Sequence, residues 1–159
     1  MNECRILDGI KSQKSYVQIS DIQVNASSFN HLVLHPENPF IHLVIKGTTL
    51  NELKCEVKFI IKKKDGTPLA ALAEGGYKGQ VYTVTPGEFS IEKHIHMPKY
   101  LADGDYLVDI ILHQPMVQEF FIAPNCMNLR IEGFYEPYAR PLYLSLEGLI
   151  GLESDQNIV

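Results

Sequence analysis

Between Leu53 and Lys63 apolar and polar residues alternate with a period of two. Cys55, Val57, Phe59 and Ile61 fall on one side, and Lys54, Glu56, Lys58 and Lys62 on the other. Successive side chains of a strand point to opposite faces, so this segment reads as a strand with one dry face and one wet face, as expected of antiparallel sheet. Asp65-Gly66 follows at once. That dipeptide suits a type I′ turn, which needs positive φ at both central positions, and Thr67 to Ala73 is the expected return strand. A chain patterned this way through its middle is committed to sheet.

The same period recurs on both sides. YVQISDIQV, from Tyr16 to Val24, alternates imperfectly; Phe29 to Leu34 is a candidate short strand and Phe40 to Lys46 a clearer one. His35 to Pro39 reads as loop, because two prolines cannot donate to a ladder. Gly75 to Gly79 reads as a flexible glycine-rich loop. From Glu88 to Met97, Phe89, Ile91, Lys93, Ile95 and Met97 oppose Ser90, Glu92, His94 and His96. Pro98 stops that strand and Ala102-Asp103-Gly104 turns the chain into another, Tyr106 to His113. Phe120 to Ala123, Cys126 to Glu132 and Leu142 to Ile150 complete the series. The spacing predicts an all-β fold: an immunoglobulin-like or jelly-roll antiparallel β-sandwich of about eight to ten strands. Residues 1–14 read as a linker or short N-terminal segment outside the core, 15–153 as the sandwich, and 154–159 as a polar tail.

A chain of 159 residues fits one domain. The net charge of -5 argues against nucleic acid, whose phosphates demand an excess of Lys and Arg. Lys62-Lys63-Lys64 abuts the Asp65-Gly66 turn and reads as a solvated hairpin tip. Cys4, Cys55 and Cys126 are far apart and odd in number, which suggests neither a disulfide framework nor a cysteine-based zinc site. Apolar runs fall short of the roughly 20 residues that span a bilayer, and the N-terminus has no signal-like apolar stretch, so a cytoplasmic protein is expected.

Several of these stretches together resemble the C-terminal carbohydrate-binding domain of the ATP-binding subunit of O-antigen polysaccharide ABC transporters (the Wzt type). They are YVQISDIQV, PFIHLVIKG, VKFIIKKKDGTPLA and IEKHIHMPKYLADGDYLVDIILHQP running into CMNLRIEG. Pro98, Leu101, Gly104 and Tyr106 carry the most characteristic part, and the resemblance covers the chain from about Ser15 to about Glu153. It implies a sandwich that recognises the end of an exported polysaccharide, works beside ABC exporter subunits, and forms a homodimer through its C-terminal strand. The chain contains no GxxxxGK followed by Ser or Thr, so no phosphate-cradling loop is present. It reads as an excised module or as a stand-alone relative.

Catalysis finds little support. Ser27 and Ser28 with His31 nearby lack the surroundings of a nucleophile elbow, and Asp103, Asp105 and Asp109 read as turn and solvent-face residues rather than a glycosidase pair. His94 and His96 share one face of their strand, so both imidazoles can approach one point. A metal there would need a further ligand, from His42, Asp109 or His113, and the expectation is no metal and no cofactor. Exposed histidines on a polar face are the plainer reading. The third is a sugar-binding face. If Glu88–Met97 and Asp105–His113 form a hairpin, His94 and His96 lie beside Asp109 and His113, with Arg130 extending the patch. Carboxylates, imidazoles and guanidinium bind vicinal hydroxyls, and Tyr77 can supply the ring that stacks on a sugar, or can simply pack. The aromatic segment Phe134 to Tyr143 reads either as a cover for the open end of the sandwich or as a dimer interface.

Overall fold

A computed structural model describes residues 4–156. After a 3-10 turn at Ile6–Gly9 the chain forms β1 (Ser12–Gln13), β2 (Val17–Val24), β3 (His31–Leu34), β4 (Phe40–Thr49), β5 (Leu53–Lys62) and β6 (Pro68–Leu72). A single helical turn, α1 (Glu74–Tyr77), leads to β7 (Tyr82–Val84), β8 (Gly87–His96), β9 (Tyr100–Leu101), β10 (Gly104–Gln114) and β11 (Gln118–Ile131). A second turn, α2 (Leu144–Glu147), precedes β12 (Ile150–Gly151).

The strands make a sandwich. Its larger sheet has the order β1-β11-β10-β5-β6, with β3 also on β11 and β7 also on β5; its smaller sheet has the order β2-β4-β8. Every pairing is antiparallel except that of β3 with β11. The apolar face of β5 is realised as read: Cys55, Val57, Phe59 and Ile61 are buried in one core cluster with Ile41, Leu43 and Ile45 of β4, but on the face expected to be wet Glu56 is buried too. Each such side chain contributes roughly 2 kcal/mol by leaving water.

The strand expected from Glu88 to Met97 forms, but not the expected hairpin with Asp105–His113. β8 pairs along its whole length with β4 of the smaller sheet, whereas β10 lies between β11 and β5 of the larger one. The chain crosses between sheets over Met97 to Asp103, and Tyr106 anchors the crossing. Its ring is fully buried and its hydroxyl donates to the Ala102 carbonyl at 2.8 Å. This is a tyrosine corner, a device of β-sandwiches in general. A Cβ at Gly104 would sit 3.3 Å from the Tyr106 hydroxyl, so that the ring would have to give by a few tenths of an ångström.

Other differences have local causes. Phe120–Ala123 and Cys126–Glu132 are parts of one strand, β11, interrupted by a bulge. Pro124 cannot join the ladder, and the Asn125 N–H donates instead to the Asp109 carboxylate at 2.8 Å. Leu142–Ile150 is not a strand: Glu147 accepts from Arg140 and from the Tyr143 N–H, closing α2, and Gly148 leaves it at φ +80°. What remains of the last strand, β12, pairs with β9 of its own chain. The glycine-rich loop contains α1. The first residues are not all outside the core, since Ile6 is fully buried.

Candidate functional site

The two sheets do not meet at every edge. On one side β6 is the last strand of the larger sheet and β8 the last of the smaller, and between them opens a cavity of about 330 Å³. Its floor is apolar, with Leu72 from β6, Ile95 from β8, Met97, Leu101 and Leu149. Tyr77, His94 and His96 stand at its rim with Glu74 and Lys78. The strands deliver these groups by parity. Ile95 points into the sandwich from an edge strand that, among the described residues, has no further neighbour on this side, while His94 and His96 flank it on the exposed face. α1 brings Tyr77, 64% exposed, over from the other sheet.

Charge at the rim is organised around Glu74. Its carboxylate accepts from Lys78 Nζ at 2.8 Å and lies 3.9 Å from Lys93 Nζ, which itself sits 4.1 Å from the centre of the Tyr82 ring. The Lys78 hydrogen bond, helped by the charges of both lysines, holds the Glu74 carboxyl below the usual range. The cavity thus offers a dry floor, one exposed ring and a fixed set of donors and acceptors, as small-ligand sites do.

Of the six residues singled out in the sequence, Tyr77, His94 and His96 are united at this rim. The other three lie on the larger sheet and are engaged with protein. Asp109 is 2.9 Å from Lys62 Nζ and also accepts from Asn125. Arg130 bridges Asp105 and Glu132, at 2.9 and 3.2 Å. His113 is buried, its Nε2 2.5 Å from Glu56 Oε1. The single patch expected from a β8–β10 hairpin therefore does not exist, because its members sit on different sheets.

Two features escaped the sequence. Leu149 and Ile150 complete the cavity from about fifty residues beyond β8, a proximity no periodicity encodes. Glu56 falls on the polar side of β5 yet is 2% exposed, since the Gly75 N–H donates to its carboxylate and α1 covers it. A glycine in the turn after β6 was the available signal, for a Cβ on Gly75 would lie 2.5 Å from Glu56 Cδ and push the carboxylate away.

No family model matches this chain, and no curated protein matches it. Among solved structures the fold is similar to the C-terminal domain of wzt, with TM-score 0.65 and 17% identity, over 99% of this chain and 89% of that one. It is also similar to a Niemann-Pick type C2 protein from Japanese carpenter ant, with TM-score 0.55 and 12% identity, over 77% of this chain and 97% of that one. At such identities the likeness is one of fold: an all-β sandwich. Among the described residues no helix is long and apolar enough to cross a membrane.

Proposed function

We propose that this domain binds the end of a polysaccharide, without transforming it, in the cavity between β6 and β8. The observation that carries the reading is the union of Tyr77, His94 and His96 above an apolar floor. A sugar presents hydroxyls at its edge and C–H groups on its faces. The exposed ring of Tyr77 suits the latter, and the imidazoles with Glu74 and Lys78 suit the former. The fold shared with the C-terminal domain of wzt, together with the sequence resemblance to the Wzt type, supports a role beside an ABC exporter of an O-antigen-like glycan. A homodimer through the C-terminal segment belongs to the same reading. Its support is the exposure of large apolar side chains there, Leu146 at 80% and Leu152 at 92%.

Titration of the protein with O-antigen-type polysaccharide, followed by calorimetry and with mass measured by light scattering, tests this. Saturable binding by a dimer is expected. Tyr77→Ala and His96→Ala should each weaken it about tenfold, the scale of one lost stacking or charge-supported contact. Arg130→Ala, on the other sheet, should leave it unchanged. Absence of binding across a panel of such glycans, or equal sensitivity to Arg130→Ala, would sink the proposal.

A further inference from the structure

We infer that His42, Glu92 and His94 form a binding site for a divalent transition-metal ion of the zinc class, on the outer face of the smaller sheet. Parity and register build it. Even-numbered residues of β4 and β8 face outward, His42 is directly opposite His94, and Glu92 is one outward position along β8 from His94. The two imidazole rings stack with centres 4.3 Å apart and planes 7° from parallel. A nitrogen of each ring and a Glu92 carboxylate oxygen all lie within 4.8 Å of one another.

Two details turn this juxtaposition into a site. His42 Nε2 is shut off from solvent and makes no hydrogen bond. A buried imidazole nitrogen without a partner is unfavourable, and it asks for one. A carboxylate oxygen of Glu92 is 3.4 Å away but makes no hydrogen bond to it. Adjacent ligands of a tetrahedral ion with bonds of about 2.0–2.1 Å stand about 3.4 Å apart. The His42–Glu92 spacing is thus already that of one coordination edge, with room for an ion instead of a proton. The His94 ring must turn out of the stack to bring its nitrogen closer, and it is an exposed side chain free to do so.

The backbone beneath is clamped, as ligand-bearing strands require. Asn25 does this: its Oδ1 accepts from the His42 N–H at 2.7 Å, its own N–H donates to the His42 carbonyl at 2.9 Å, and its Nδ2 donates to the Phe40 carbonyl at 3.1 Å. Two neutral imidazoles and one carboxylate are a borderline donor set that suits zinc, cobalt or nickel ions and not calcium or magnesium. Three protein ligands leave a fourth position open, and one of them, His94, also borders the cavity. The inference does not rest on the glycan reading.

The test is a titration of the chelator-stripped full chain with Co²⁺ and then Zn²⁺, in the absence of any glycan. Cobalt is read by its visible absorption and zinc by displacement and calorimetry. One equivalent should bind, with the intense visible bands of a four-coordinate N,O site. His42→Ala and Glu92→Gln should each weaken binding by more than about a hundredfold, beyond what loss of an outer-shell contact causes. His31→Ala, which removes a histidine of β3, should leave it intact, and circular dichroism should show all variants folded. Absence of binding at micromolar Co²⁺ and Zn²⁺, or binding that survives His42→Ala and Glu92→Gln in folded protein, would overturn the inference.

Discussion

Glu56 and His113 face each other across β5 and β10 of the larger sheet, while Glu92 and His42 lie diagonally across β8 and β4 of the smaller one. Both pairs are on the side away from the core, and each is made of one glutamate and one histidine on neighbouring strands. In the first, the contact is 2.5 Å and the two side chains are 10% and 2% exposed; in the second it is 3.4 Å, and Glu92 is 57% exposed. The difference comes from a neighbour. The turn after β6 lays Gly75 on Glu56 and seals that pair, whereas the outer face of the smaller sheet keeps Glu92 in solvent. Covering makes a pair of polar side chains structural, and leaving it open keeps it available to an external partner.

That contrast can be broken most forcefully at Glu56. Glu56→Ala strips His113 and the Gly75 N–H of their acceptor in a buried setting, and should cost about 3 kcal/mol or more in urea unfolding. A loss below about 1 kcal/mol would mean the sealed pair is no more structural than an exposed one.

The contrast sharpens at high pH, because the strongly perturbed buried groups all lie on the larger sheet or its crossing. Burial pushes the Cys55 thiol up to about 11 and the Cys126 thiol up to about 12. Burial, with the charges of Asp103 and Asp105, pushes the Tyr106 hydroxyl up to about 12. Their ordinary values are 9.0 for the thiols and 10.0 for the phenol, so the unfolded chain releases these protons first as pH rises. Stability from these groups is therefore fully present below about pH 9 and is lost between there and about pH 12. Tyr106→Phe should cost about 1 kcal/mol at neutral pH, by orphaning the Ala102 carbonyl, and should make the alkaline decline shallower. An unchanged alkaline slope by circular dichroism would remove Tyr106 from that account.

The smallest effect belongs to the open pair. Glu92→Ala should change metal-free stability by no more than about 0.5 kcal/mol. A larger loss in the same unfolding assay would show that the carboxylate is already part of the fold.

How much of this was legible in the sequence depended on whether one face of a segment is wet. β5 and β8 each have such a face and could be read directly. The partner of β8 could not, because neighbouring strands usually pair and nothing in Pro98-Lys99-Tyr100 says that the chain is about to change sheets. Leu142–Ile150 alternates well enough for a strand, but the Arg140–Glu147 pair and Gly148 settle it as a turn. The stretch from Leu101 to Tyr106 was conspicuous in the sequence, and in the structure it is the corner that joins the two sheets. Of the candidate site, parity alone placed Glu92, His94 and His96 on one polar face. Their grouping with Tyr77 at the cavity, and the withdrawal of His113 from it, are tertiary facts.

β11 is the strand on which the larger sheet closes: β1 and β3, from the first thirty-four residues, find their partners on it, and so does β10. During synthesis β1 and β3 are therefore made long before their hydrogen-bond partners exist, whereas β2 between them can pair with β4 as soon as Phe40–Thr49 has emerged. β1 and β3 must wait, through about eighty residues of elongation or more, for Gln118–Ile131 to emerge. Such distant pairing is slow to close, so refolding on the scale of milliseconds to seconds is expected, with the β10–β11 hairpin as the local seed and β1 and β3 the last to dock.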